Sequence, residues 1–164
     1  MTFRALLFFL LALTGTLVDP AVPASAPPPF RPAQDLPALV EGASLIIVGK
    51  IEGVKPGRVA GRGDARLEFN DVRVRVEKRL KGEAPQAITV EEVSQARRVV
   101  ISPAGPPFQP GERYVLFLMR GEGDRYVPVP PRGRFYLEGG RVGPLDIEEA
   151  KFLQQIESIV QGAR

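Results

Sequence analysis

The chain has 164 residues, of which 44% are hydrophobic and 25% charged, and its formal net charge is +3. This length and composition fit one globular domain and exclude a disordered or fibrous chain. The sequence contains no cysteine and no histidine, which excludes disulfides, thiolate nucleophiles, zinc–thiolate sites and a lipid-modified cysteine. It also lacks the side chain that most often acts as a general base or metal ligand.

Residues 1–24 have the three parts of a secretory signal peptide. Arg4 and the amino terminus supply positive charge, residues 5–13 form an apolar run, and small residues follow Asp19-Pro20. The apolar run is shorter than the roughly 20 residues that span a membrane. This favours a cleaved signal peptide over the alternative, an uncleaved anchor helix.

Two cleavage points fit the small residues that signal peptidases require. Cleavage after Ala26 would leave Pro27 directly after the bond, and signal peptidases cleave such bonds poorly. We therefore favour cleavage after Ala24. The proline-rich residues 25–35 are then predicted to be an extended spacer before a domain over 36–164. We expect export to the periplasm or the cell exterior, with membrane contact only through the signal peptide before cleavage.

The predicted elements of the domain are mostly short strands. A helical segment over 35–41 precedes a strand over 44–51 that is apolar on both faces at its start, and glycine and basic residues predict a loop over 55–64. A change of apolar phase in the next strand predicts a bulge near Asn70-Asp71. Further strands are predicted over 87–93, 97–101, 114–119, 125–129 and 134–138, with a loop over 102–111 and a positive-φ turn at Gly139-Gly140.

The end of the domain has the pattern of an amphipathic helix. Asp146 occupies a predicted N-cap position, with Glu149 three residues later as in an acidic capping box. The apolar residues that recur at helical spacing are Ile147, Ala150, Leu153, Ile156 and Val160. We predict a helix over 146–161 that packs on the sheet.

Four strand-and-turn segments carry a family resemblance. They are LVEGASLIIVGK at 39–50, VRVEKRLKG at 74–82, FQPGERYVLFL at 108–118 and GRFYL at 133–137. Over residues 36–145 the chain resembles secreted bacterial domains related to tissue inhibitors of metalloproteinases, the netrin-like family. The resemblance implies a mainly β fold, a small OB-like β-barrel with a C-terminal flanking helix. It does not transfer inhibition, because the animal inhibitors chelate zinc through an N-terminal cysteine that this chain lacks.

A basic stripe is the strongest functional signal in the sequence. Residues 50–81 contain ten Lys/Arg and five Asp/Glu, a local net charge of +5. Alternation places Arg73 and Arg75 on the solvent face, roughly 6.6 Å apart. Such a row could contact successive anionic groups of a polymer, whereas the alternative is that the charges keep an edge strand soluble. The predicted anion-binding residues are Arg66, Arg73, Arg75, Arg79 and Lys81.

Catalytic residue patterns are missing from the sequence. No serine lies in a nucleophile elbow, and a pair such as Ser44 with Lys50 is explained equally well by a plain strand. Glu91 and Glu92 are adjacent on a strand, so they point to opposite faces and cannot share a metal or a proton. We predict that the chain is not an enzyme and has no metal site and no cofactor.

The functional hypothesis from the sequence is a non-catalytic exported binding module. Its expected partner is an unknown protein or an anionic polymer of the cell envelope. The alternatives are a protease-inhibitor-like protein that acts through its loops, such as the proline-rich residues 102–111, and a structural envelope component.

Overall fold

The computed structural model describes residues 31–62, 66–94 and 106–163. The predicted signal peptide with its cleavage site at Ala24, most of the spacer, and the predicted strand over 97–101 lie outside the described residues. No helix in the described part of the chain is long and apolar enough to cross a membrane.

The described chain is mainly β, as the sequence predicts, with an eight-stranded sheet and a helix at each end. The helices are α1 (Pro32–Gly42) and α2 (Glu149–Gly162). The strands are β1 (Leu45–Ala60), β2 (Leu67–Lys81), β3 (Ala87–Val93), β4 (Arg113–Arg120), β5 (Arg125–Pro128), β6 (Arg134–Glu138), β7 (Arg141–Val142) and β8 (Ile147–Glu148).

The first five strands are paired in an order that both begins and ends at β1. The order is β1-β2-β3-β5-β4, and β4 pairs with β1 again through residues 45–50. These pairings are antiparallel except between β3 and β5, which run parallel. Strands β6, β7 and β8 continue the sheet from β4.

Strand β1 is apolar on both faces because each face packs into a separate core. The inner cluster lies among the first five strands and comprises Leu45, Ile47, Ile51, Val72, Val74, Ile88, Val90, Phe108, Tyr114, Leu116, Leu118 and Tyr126. The helix-side cluster includes Leu36, Ile46, Val48, Phe117, Phe135, Phe152 and Ile156. Because side chains alternate along a strand, β1 supplies both clusters.

Two predictions about the first hairpin are wrong. Residues 55–60 continue β1 and are not a loop. The register between β2 and β3 is unbroken from Phe69 to Arg75, so the predicted bulge is not in β2. The β1–β2 register does shift beside Asn70, but the extra residue belongs to β1, between Pro56 and Val59. The change of apolar phase arises because Phe69 lies on the outer face, where the Arg58 guanidinium stacks 4.4 Å from its ring centroid.

Both helices differ from their predicted bounds. Helix α1 begins at Pro32, inside the predicted spacer, and proline is well tolerated in the first turn of a helix. Helix α2 begins at Glu149, because Asp146 adopts a left-handed conformation (φ 51°) and Ile147–Glu148 pair with β7 instead. The buried residues of α2 are Phe152, Ile156 and Val160, whereas Ala150 is exposed.

Candidate functional site

Three residues of the predicted basic stripe lie beside carboxylates. Arg73 and Arg75 are exposed on the outer face of β2, as expected from the alternation of side chains. A carboxylate close to each guanidinium offsets part of its charge toward a second anion. The ion pairs are Arg66–Glu68 at 3.4 Å, Arg73–Glu52 at 3.1 Å and Arg75–Glu77 at 3.9 Å.

The other two predicted stripe residues, Arg79 and Lys81, do not lie in line with Arg73 and Arg75. Shifts in the β1–β2 register place Arg79 opposite Ile47 of the inner cluster, and opposite residues project from the same face of a sheet. The Lys81 ammonium donates hydrogen bonds to the carbonyl oxygens of Val40 and Ala43, both at 2.6 Å, at the C-terminal end of α1. The five predicted residues therefore do not form one continuous anion-binding row.

Two bidentate ion pairs cross the outer face of β1, β2, β3 and β5. Arg58 donates to both carboxylate oxygens of Glu91, at 2.7 and 2.9 Å, and so ties β1 to β3 across β2. Arg125 donates to both oxygens of Asp71, at 2.8 and 3.1 Å, and so ties β5 to β2 across β3. The hydrogen bonds from Arg125 hold the pKa of the Asp71 carboxyl below its usual value. The pairing of these charges indicates that this face holds strands together.

A buried ion pair joins β3 to β6. Arg134 Nη1 lies 2.5 Å from Glu92 Oε1, and the two side chains are 4% and 9% exposed. Arg134 also donates to the carbonyl oxygen of Pro106 at 2.7 Å and stacks 4.5 Å from the Phe108 ring centroid. Glu91 and Glu92 thus take separate partners, which confirms that they face opposite ways. This pair was not predicted from the sequence, although a glutamate in phase with the buried residues Ile88 and Val90 was a signal for it.

A depression of about 630 Å³ opens between the β2–β3 turn (residues 82–86) and the β4–β5 turn (residues 121–124). Ile88 and Tyr126 of the inner cluster line it and are only 5% and 6% exposed. The charged side chains that line it are Arg79, Glu83, Arg120 and Asp124. The Arg120 guanidinium lies 5.5 Å from the Tyr126 ring centroid.

The cations of this depression differ from Arg58, Arg73 and Arg125 of the outer sheet face, which contact carboxylates. Arg79 and Arg120 are both exposed, and neither forms an ion pair with a carboxylate among the described residues. Arg79 is a residue that the sequence singled out, but for a different surface. Arg120 was not predicted, because its place beside the same depression as Arg79 depends on the packing of two turns that are far apart in the sequence.

The chemistry that the described side chains can supply is hydrogen bonding and electrostatic contact. They contain no group of three or more acidic side chains arranged to hold a metal ion. Ser44 donates its hydroxyl to the carbonyl oxygen of Leu118 at 3.2 Å, and Lys50 lies six strand residues away, roughly 20 Å. Burial and a hydrogen bond to Glu112 raise the pKa of the Tyr114 phenol above its usual value, so this phenol keeps its proton.

Comparison of the sequence with models of known protein families finds no match, and comparison with curated proteins finds none either.

Proposed function

We propose that this chain is a non-catalytic, exported binding module built on an OB-type barrel of the netrin-like kind. The return of the strand pairings to β1 supports this architecture, since OB folds are five-stranded, partly open barrels. The helix after the last strand agrees with the flanking helix that the family resemblance implies.

We further propose that the module holds an anionic group of its partner in the depression between the β2–β3 and β4–β5 turns. The observation that carries this proposal is the pair Arg79 and Arg120, two exposed guanidiniums without a described carboxylate partner that line one hollow. A guanidinium binds carboxylate, phosphate and sulfate groups through several fixed donors. Mouths of β-barrels are also common places for ligand sites.

The outer face of the sheet is the weaker candidate for an anion. Many OB-type barrels bind oligomers across the β2–β3 face. Here an incoming anion would have to displace Glu91 from Arg58 or Asp71 from Arg125, and each of those contacts is bidentate. Charge-assisted bidentate pairs are the stronger kind of side-chain contact.

A binding assay with matched double variants tests the site. We suggest titrating labelled poly-glutamate, as a model of an anionic envelope polymer, with the mature domain at low salt. An exposed ion pair changes affinity by roughly 1.4- to 5-fold, so R79Q/R120Q should weaken binding roughly 2- to 25-fold. The control R73Q/R75Q removes the same charge from the sheet face and should change binding less than about 2-fold.

The outcome of that comparison decides between the two surfaces. A larger loss in R73Q/R75Q would move the site to the sheet face. No loss in either double variant, or binding that is unchanged between low and high salt, would overturn an anion-binding role, since exposed charge contacts weaken as salt screens them.

Export requires its own experiment. We expect the full chain, expressed in a bacterium with a C-terminal tag, to leave the cytoplasm and to have Ser25 as its first residue. N-terminal sequencing of the tagged product tests both points. A protein that stays in the cytoplasm with its first 24 residues attached would contradict the proposal.

A further inference from the structure

The depression is lined by two carboxylates as well as two guanidiniums. Glu83 lies in the β2–β3 turn and Asp124 in the β4–β5 turn, and both are exposed. Like Arg79 and Arg120, neither forms an ion pair with another described residue. On the outer sheet face, by contrast, Arg58 contacts Glu91 and Arg125 contacts Asp71, at 2.7 to 3.1 Å. Charges that serve to hold strands together in this chain are paired, whereas these four are not.

We infer that the depression binds a polypeptide segment that carries both acidic and basic side chains. This inference rests on the proposed function, because it assumes that the depression is the binding site. The four lining charges sum to zero. A uniform polyanion would gain attraction from Arg79 and Arg120 and lose part of it through repulsion by Glu83 and Asp124. A segment of mixed charge can present a complementary group to each side chain.

The remainder of the lining favours a polypeptide over a nucleic acid. Proteins that bind single-stranded nucleic acid offer aromatic rings on which bases stack, together with a marked excess of positive charge. Tyr126 is 6% exposed, and the large apolar side chains that are exposed in the described chain are not aromatic: Val59, Leu67, Val93 and Met119. The lining therefore offers neither an exposed aromatic ring for base stacking nor an excess of positive charge.

Short labelled peptides of equal length test the inference. One peptide alternates lysine and glutamate, and the other contains glutamate only. We expect the wild-type domain to bind the alternating peptide more tightly. The variant E83Q/D124N should bind the all-glutamate peptide roughly 2- to 25-fold more tightly than wild type and the alternating peptide more weakly, because each exposed contact changes affinity by roughly 1.4- to 5-fold.

The variant R79Q/R120Q, assayed in parallel, separates the two levels of the proposal. If it weakens binding of neither peptide, the proposed site itself is wrong. If it weakens binding while E83Q/D124N has no effect on either peptide, the site stands and the mixed-charge partner is wrong. Tighter binding of the all-glutamate peptide by wild type, or no binding of the alternating peptide at millimolar concentration, also overturns the inference. All four substitutions are on exposed side chains, and circular dichroism checks that each variant is folded.

Discussion

The buried pair of Arg134 and Glu92 provides a quantitative test of the core. We consider Arg134→Met, which keeps an unbranched side chain but removes the guanidinium. The change deletes the 2.5 Å contact to Glu92, the 2.7 Å hydrogen bond to the Pro106 carbonyl and the stacking on Phe108. Glu92 would then remain buried with its charge unpaired, apart from a 3.4 Å contact from the Phe108 backbone amide.

The expected loss follows from these contacts. At a charge separation of about 4 Å and an effective dielectric constant of about 20, the attraction between two unit charges is about 4 kcal/mol. Desolvation of both groups offsets most of this attraction in the intact pair. After removal of one partner the desolvation of the other remains, so we expect Arg134→Met to lower the free energy of unfolding by about 3–5 kcal/mol.

Urea unfolding monitored by circular dichroism measures this loss. Domains are stable by only about 5–15 kcal/mol, so the midpoint should fall markedly. The double variant E92L/R134M removes both charges and should regain most of the stability lost in either single variant. A single variant within about 1 kcal/mol of wild type, or a double variant less stable than both singles, would refute the assignment of a buried, coupled pair.

Three further predictions concern stability. Asp71→Asn removes a carboxylate whose pKa is lowered by Arg125. The ionised carboxylate stabilises the fold at pH values above the pKa of the unfolded state, and this stabilisation is lost as the pH falls. The difference in urea stability between wild type and variant should therefore shrink below about pH 4. Lys81→Met removes both hydrogen bonds to the end of α1 and should lower thermal and urea stability by about 1–3 kcal/mol. Gly133→Ala would place a Cβ 2.3 Å from a backbone nitrogen and should cost about 3 kcal/mol or more in urea unfolding.

Each of these predictions has an outcome that would contradict it, and two have a matched control variant. A stability gap for Asp71→Asn that is constant from pH 7 to pH 3 would contradict the first. Lys78→Met removes a half-exposed pair with Glu157 and should cost less than about 1 kcal/mol, so equal losses at Lys78 and Lys81 would contradict the second. Gly53→Ala meets no atom within 4 Å, and a loss there as large as at Gly133 would contradict the third.

Several elements could be predicted closely because their signals are local. The strands over 87–93 and 134–138 have the bounds that alternation and turn residues indicate. The turn at Gly139-Gly140 has the predicted positive φ angles, 57° and 75°. Glycine reaches such angles without steric clash, so its position alone predicts the turn.

The candidate site could be predicted only in part. Arg79 was predicted to bind an anion, but in a row with Arg73 and Arg75, from which the β1–β2 register separates it. Strict alternation along β2 fails beyond Arg75 because the register with β1 shifts twice there, between Val48 and Gly49 and between Ile46 and Ile47. Such shifts depend on how two strands pair, which the pattern of one strand does not contain.

The sequence by itself determined the mainly β class, most strand positions and the turns, because side-chain alternation and backbone preference act between near neighbours in the chain. Only the tertiary structure decided which charges are paired and which are not. Arg58 meets Glu91 33 residues away, and Arg125 meets Asp71 54 residues away. Contacts between side chains so far apart depend on the register and packing of whole strands, so the depression lined by Arg79 and Arg120 exists only in the folded chain.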